Sequence, residues 1–409
     1  MPTPPPVSFL RWRDIPRGVW MLGLVSLLMD LSSEMIHALL PLYLVTAFGA
    51  SALAVGAIEG VAEAIAMIVK IFSGSLSDYL GKRKLLAAIG YGLAAFTKPI
   101  FPLAGSLGWL VAARFIDRLG KGIRGAPRDA LIADLTPPGV RGASFGLRQS
   151  LDTVGAFLGP LAAMLFMLLL ADDFTAVFWI AVAPAFLSFA VIAFGVSDPD
   201  RPDGLSATRT PLSRPELRRL GRAYWLVVGV ASLFTLARFS EAFLLLRAQS
   251  IGLPLAMIPL VMVVMNVVYA GSAWPAGVLS DRIGRYGLLA GGFVLLAIAD
   301  LLLAFGGGIA VIIAGVVVWG LHMGLTQGLL ASLVADTAPP DLRGTAFGMF
   351  NLVTGLATLA ASVIAGALWD VAGPSGTFLA GAVLTVAALL VLPLARRVVR
   401  AAYPGAAAS

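Results

Sequence analysis

The sequence predicts an all-α membrane protein: twelve transmembrane helices arranged as two pseudo-symmetric six-helix bundles, with both termini cytoplasmic. Three observations predict it. The chain is 59% hydrophobic and only 12% charged, with a mean hydropathy of +0.93, whereas a soluble domain carries about 25% charged residues. The available polar surface could not cover so apolar a core in water, so the solvent is lipid. Apolar stretches of about 20 residues, the length that crosses a hydrocarbon layer of about 30 Å, recur along the whole chain. Finally, the chain repeats itself at half its length. Gly74-Ser-Leu-Ser-Asp78-Tyr-Leu-Gly81-Lys-Arg83-Lys returns about 203 positions later as Gly277-Val-Leu-Ser-Asp281-Arg282-Ile-Gly284-Arg. Ala133-Asp134 through Arg141-Gly142 and Phe145-Gly146 returns as Ala335-Asp336 through Arg343-Gly344 and Phe347-Gly348, and Ser33-Glu34 is echoed by Ser240-Glu241. Self-similarity on this scale indicates duplication of a large unit, not a short solenoid repeat.

The first six helices are expected near 18–46, 53–76, 85–103, 108–132, 143–170 and 175–196. The second six are expected near 223–248, 254–278, 286–305, 308–334, 345–368 and 375–395. Small residues inside these stretches suit close helix packing in lipid. Alternate loops carry Lys82, Arg83 and Lys84, then Arg141, then Arg282 and Arg285, then Arg343. Arg11, Arg13 and Arg17 at one tail and Arg396, Arg397 and Arg400 at the other join that set. The opposite loops show Asp172, Asp173 and Asp370. Excess Lys and Arg marks the cytoplasmic side, so both tails lie inside and the number of crossings is even.

The domain plan follows. Residues 1–17 form a cytoplasmic tail, 18–196 the first bundle, 197–222 a cytoplasmic linker, 223–395 the second bundle and 396–409 a second cytoplasmic tail. The linker carries six Arg and is punctuated by Pro199, Pro202, Pro211 and Pro215. With six crossings each, the halves share one topology about an axis along the membrane normal, which places a substrate site between them near the midplane. The chain has no Cys, which excludes disulfides and thiolate metal sites. Its net charge of +7 sits in short loops and forms no continuous patch, so nucleic acid is not expected as a partner. Residues 1–17 lack a short apolar segment with a cleavage site, so no signal peptide is expected.

The loop motif at 74–84 has a physical logic. Gly74 and Gly81 allow a tight turn and close helix approach. Asp78 is placed to meet an Arg or a helix N-terminus, and the basic run holds the loop at an anionic leaflet. With its second copy at 277–285, this motif resembles the loop signature of the major facilitator superfamily of secondary transporters, and the resemblance covers essentially the whole chain. Tyr79 stands where a basic residue is usual, and Tyr286-Gly287 replaces part of the second basic run. The resemblance implies that Asp78, with Gly74, Gly81, Arg83, Gly277, Asp281, Arg282 and Gly284, belongs to a gating latch for one face of an alternating cycle. The fourth stretch, Arg114-Phe-Ile-Asp117-Arg118-Leu-Gly-Lys121-Gly, resembles the family's charged motif there, and either Arg114 or Arg118 is its arginine. Gly155-Ala-Phe-Leu-Gly159-Pro160 resembles, in part, the antiporter motif of drug-efflux members. Close packing of two helices and a kink is the alternative account of it.

An ionisable group inside a bilayer is costly unless paired or wetted, and is a functional candidate for that reason. Asp30, Glu34 and His37 fall at i, i+4 and i+7 and share a face of the first helix. Glu59 and Glu63 are i and i+4 on the second, and running the two helices in opposite directions sets Glu34 and Glu59 at similar depth. Such a cluster disfavours full ionisation, which suits a proton-coupled carrier or a cationic substrate. Alternatively, these acids neutralise Arg114, Arg118, Lys121 and Lys98 structurally. Lys70 is expected to snorkel to the surface, and Arg124, Arg128 and Asp129 to serve as scaffold or gate. His37 and His322 are the two histidines, and proton relay, metal ligation and simple hydrogen bonding stay open for both. In the second half, Arg238 and Glu241 lie on the seventh helix. Gln149 and Asp152 on the fifth correspond to Asn351 and Thr354 on the eleventh, as candidate cavity positions.

The expected function is therefore a monomeric, multi-pass secondary transporter of the bacterial inner membrane, with protons, a small-molecule or ion substrate and the lipid bilayer as its partners. Alternating access, proton coupling and export of a drug-like molecule or metabolite are expected, with no cofactor and no bound metal. The main alternative is export of a divalent metal, nickel or iron, for which carboxylate and imidazole are suitable ligands. A non-transporting membrane receptor is the reading from a different class. It needs a regulatory domain or a ruined cavity, and neither is evident. A sugar-porter loop signature is not found, nor is a zinc-protease motif, nucleophile elbow or phosphate loop, so neither sugar uptake nor an enzyme is expected.

Overall fold

The computed structural model describes residues 15–80, 82–137, 140–197, 214–283, 285–339 and 342–402. Among them there is no strand. The first half comprises α1 (Arg17–His37), α2 (Leu40–Phe48), α3 (Ala52–Leu80), α4 (Arg83–Thr97), α5 (Ile100–Leu103), α6 (Leu107–Leu135), α7 (Arg141–Leu169) and α8 (Phe174–Gly195). After the short α9 (Arg214–Arg219), the second half comprises α10 (Arg222–Ala237), α11 (Ala242–Ser250), α12 (Leu260–Ile283), α13 (Arg285–Phe305), α14 (Ile309–Thr337) and α15 (Arg343–Ala402). Ten of the described helical segments are long and apolar enough to cross a membrane. Thr345–Val399 counts once in that number, although Gly373 at φ 70 breaks α15 in a conformation that only glycine adopts freely. α6, the fourth expected crossing, is a 29-residue helix but carries Arg114, Asp117, Arg118, Lys121, Arg124, Arg128 and Asp129. It is not among the ten.

The expected first and seventh stretches are each broken, and the breaks shape the centre of the molecule. Pro41 opens α2. Lacking an N–H and clashing with the carbonyl four residues back, it ends α1 at His37. α10 stops at Ala237, and α11 restarts at Ala242, whose amide donates to Ser240 Oγ at 3.2 Å, a local bond that competes with continued helix. In the third stretch Pro99 acts likewise, separating α4 from α5 beside Lys98.

Within the first half α1 packs on α7 and α8, and α6 on α3 and α4. Within the second α10 packs on α15, α12 on α14, and α13 on both α14 and α15. The halves meet through α3 against α15 and α7 against α12. At the end where α3 begins, Asp370 of α15 accepts hydrogen bonds from the amides of Ala52 and Leu53, both at 3.0 Å. At this capped end one apolar core joins Met35, Val55, Ile58 and Phe178 of the first half to Phe239, Phe243 and Phe378 of the second. Toward the opposite end the first half keeps a separate core of Val19, Val25, Tyr91, Ile132 and Ile192. The halves are thus joined at the capped end and part toward the other. Large apolar side chains such as Phe194, Leu390 and Phe305 face outward, as expected where lipid is the solvent.

Candidate functional site

α3 and α6 run side by side in the same direction, so pairs spaced by four on each helix form matched rungs. Arg114 Nη2 donates to Glu59 Oε2 at 2.5 Å, and one turn on Arg118 Nη1 lies 3.1 Å from Glu63 Oε1. Arg114, Glu59 and Arg118 are each 1% exposed, whereas Glu63 is 29% exposed. Buried pairs of this kind are costly to break, because removing one partner strands a charge in a low dielectric. Behind them Lys98 Nζ donates to Asp117 at 2.8 Å and to Ser33 Oγ at 3.0 Å. The charges of α6 are thus tied to both flanking helices.

α1 supplies the link to the cavity. Gly155 and Gly159 on α7 admit it closely: a Cβ at Gly155 would lie 2.7 Å from Leu27 O, and one at Gly159 2.6 Å from Glu34 Cβ. This packing sets the last turns of α1, where His37 stands between two carboxylates. Its Nδ1 is 3.2 Å from Glu34 Oε2 and its Nε2 3.5 Å from Glu59 Oε2. Donation from both nitrogens requires the doubly protonated ring, and loss of one proton leaves one carboxylate without its donor. Glu59 keeps Arg114, so Glu34 is the acid that such a loss exposes. With both nitrogens facing carboxylates, His37 has none left for a metal. Among the described residues no group of three or more His, Cys, Asp or Glu is placed to hold one.

The network opens onto a cavity of about 440 Å³ between the halves. Glu34, His37, Glu59, Glu63, Arg118 and Lys121 line it from the first half. Arg238, Glu241, Asn266, Asn351, Thr354 and the rings of Phe234, Phe239 and Phe350 line it from the second. Arg238 Nη2 donates to Glu241 Oε1 at 3.4 Å, and Asn266 Nδ2 donates to Ala156 O across the seam at 3.1 Å. One wall is thus a paired charge network; the other carries the Arg238–Glu241 ion pair among polar and aromatic side chains.

Of the expected site residues, Glu34, His37, Glu59, Glu63, Arg118, Arg238, Glu241 and Asn351 come together in this cavity, and Arg114 stands directly behind it. Asp30 faces α7 instead, where a Cβ at Gly155 would lie 3.0 Å from its Cβ, and Asp152 of α7 stands beside it. Asp152 is also 3.1 Å from Arg148 and 3.9 Å from Arg128. Gln149 accepts from Arg148 at 3.0 Å on an exposed face, away from the cavity. His322 is buried in the second half against Phe234 and Trp319. Pro160 sits within α7 without interrupting it.

In the loop motif, Arg83 Nη1 is 2.7 Å from Asp134 Oδ1 and donates to Ala130 O at 2.9 Å, so the two repeated motifs of the first half meet each other. Gly74 lies against α6, where a Cβ would be 3.3 Å from Ala126 Cβ. Gly81 and Gly284, and the side-chain positions of Asp78, Gly277, Asp281 and Arg282, lie outside the described residues. Sequence reasoning passed over Asn266 and Asp300. Asp300, a lone acid in an apolar stretch, carried a usable signal; Asn266 carried none.

The family model described as Major Facilitator Superfamily matches residues 22–357 and 231–408. An uncharacterized MFS-type transporter of Methanocaldococcus jannaschii is 35% identical over 388 residues, covering 93% of this chain and 95% of the relative. The multidrug resistance protein MdtH of Photorhabdus laumondii is 30% identical over 168 residues, covering 40% of this chain and 39% of the relative. Among solved structures, the nucleoside transporter NupG superposes with a TM-score of 0.77 at 14% identity, covering 92% of this chain and 99% of that one, a likeness of fold.

Proposed function

The chain belongs to the Major Facilitator Superfamily, and from that premise we propose that this multi-pass membrane transporter is a proton-coupled secondary transporter exporting a small drug-like molecule or metabolite. The observation that carries the proposal is His37 between Glu34 and Glu59 on the wall of an inter-half cavity. Proton and substrate compete there. When His37 gives up a proton, Glu34 needs a new donor, and a cationic or hydrogen-bonding group of the substrate supplies it. When the substrate leaves, a proton restores the network. This exclusion is what an antiporter requires. Asp30, one turn of α1 from Glu34 and beside Asp152 of α7, is the second coupling acid.

In this reading α6 and the two arms of α15 bring the crossings to twelve. They form two six-helix bundles over 18–196 and 223–395, related by a pseudo-two-fold axis along the membrane normal. The tails (1–17 and 396–409) and the linker (197–222) are cytoplasmic by the distribution of Lys and Arg. The inner membrane is the location and the monomer the working unit. The halves rock about the cavity, and the Asp370 cap belongs to the end that is closed here. The gating motifs at 74–84 and 277–285 hold the opposite end in the other half of the cycle. Export is favoured by the partial likeness to MdtH. Nickel or iron export draws less support, because both His37 nitrogens are already committed.

The test is reconstitution into liposomes with an imposed pH gradient, using ethidium, tetraphenylphosphonium and Ni²⁺ as separate probes. Gradient-driven movement of an organic cation supports the proposal. Movement of Ni²⁺ alone favours the metal reading, and silence across the panel favours a receptor.

A further inference from the structure

The second half contains a buried acid that the cavity network does not use. Asp300 on α13 is 0% exposed, and neither carboxyl oxygen has a hydrogen-bond partner among the described residues. Two further buried polar groups nearby share that condition: Trp319 Nε1 and both ring nitrogens of His322. α13 and α14 run antiparallel, with Gly292 against Leu325 and Thr326 and Gly315 against Leu302 and Leu303. This register sets Asp300 level with Trp319 and about one turn from His322.

A wall of aromatic rings separates this group from the cavity. Gly381 on α15 locates it, since a Cβ there would lie 2.8 Å from Asp300 Oδ2 and 3.1 Å from Phe239 Cε1. The Phe239 ring therefore stands beside the carboxyl while also lining the cavity. It packs against Phe243, Trp319 and Phe378 at centroid distances of 5.4, 5.8 and 5.4 Å. Phe239 belongs to the break between α10 and α11, where the amides of Phe239, Ser240 and Glu241 donate no backbone hydrogen bond among the described residues.

Among the described residues, the titratable groups on the elements around Asp300 include His322 of α14, Tyr269 of α12 and Arg238, next to Phe239 in the α10–α11 break. α15 brings Thr377 and Thr385, whose hydroxyls donate to Ala365 O and Gly381 O and not to the carboxyl. No ion pair to Asp300 exists among the described residues. An isolated carboxylate in such surroundings is prohibitively costly, whereas a neutral carboxylic acid loses only its hydrogen bonds.

We propose that Asp300 is a further proton-binding site of this transporter, holding its proton in an occluded pocket behind Phe239 and exchanging it with the cavity when the α10–α11 break moves. The proposal rests on the proton-coupled reading for its role in the cycle, but its test does not need a transported substrate. Infrared spectroscopy of the protein in lipid reads the C=O stretch of a protonated carboxyl group, and ¹³C-labelled aspartate assigns that band to Asp. Because Asp30 carries a coupling proton in that reading, the band is read in an Asp30→Asn background: it is expected there, and is expected to be lost when Asp300→Asn is added, a near-isosteric change that the neutral-acid form tolerates. Its deuterium exchange is expected to run about tenfold faster in Phe239→Ala, as for a pocket limited by local opening. An Asp30→Asn protein without an Asp carboxyl band overturns the proposal, as does an unchanged band when Asp300→Asn is added to it or unchanged exchange when Phe239→Ala is added. The labelled Asp30→Asn protein, with and without Phe239→Ala, decides the question even where Asp300→Asn does not fold. Loss of the band on adding Asp300→Asn to Asp30→Asn, alongside a wild type that shows no gradient-driven transport, leaves the site standing and removes the coupling reading; the converse removes the site alone.

Discussion

Asp370 caps the first turn of α3 from across the molecule: its two carboxylate oxygens take the amide hydrogens of Ala52 and Leu53, each at 3.0 Å. A helix N-terminus in the first half is therefore completed by a side chain of the second, and the halves cannot part at this end without breaking both bonds.

That bond makes the capped end adjustable. Asp370→Ala is expected to weaken closure by about 0.5–2 kcal/mol, the range for loss of an N-cap. The population closed at that end should fall accordingly. Spin labels at Leu53→Cys and Val371→Cys, on either side of the seam, should report a longer-distance fraction in double electron–electron resonance. An unchanged distance distribution would mean that the cap does not bear on closure.

The two rungs between α3 and α6 differ in burial, and their strengths should follow. Glu59→Gln strands Arg114 in the core and is expected to cost about 3–5 kcal/mol. Glu63→Gln is expected to cost markedly less, because Glu63 is 29% exposed and water can replace it. Thermal unfolding in one detergent ranks the two, and equal losses would contradict the role assigned to burial.

Gly159 is where the partial antiporter motif meets the charge network. Gly159→Ala places a methyl 2.6 Å from Glu34 Cβ, and overpacking of that kind costs about 1–3 kcal/mol. Gly229→Ala, with nothing within 4 Å of the new Cβ, should be neutral or stabilising by up to about 1 kcal/mol. Only the first should also depress transport, since only the first moves Glu34. Loss of transport in both would detach the motif from the acid.

Much of this was legible in the residues. Apolar stretches mark the helices because lipid demands a length and a composition, and spacing by four put Glu59 with Glu63 and Arg114 with Arg118 on common faces. Pairing was harder to read, because the shared direction of the second and fourth crossings does not fix their relative height and rotation, so either Arg could serve either acid. The break after His37 was marked by Pro41, whereas the break at 238–241 has no proline and depends on Ser240. Asp370 read as one more loop acid, since a cap supplied from 318 positions away has no local signature. Gln149 shows the limit of helical phase: correspondence with Asn351 did not carry it into the cavity, because its side chain turns to Arg148.

The most direct test of the central claim, that the Glu34–His37 pair couples protons to transport, is gradient-driven ethidium accumulation in proteoliposomes holding either wild type or Glu34→Gln. The wild type should accumulate ethidium against its gradient when protons flow the other way. Glu34→Gln should lose that accumulation and still exchange ethidium at equal pH on both sides. Accumulation by Glu34→Gln at the wild-type rate would contradict the claim.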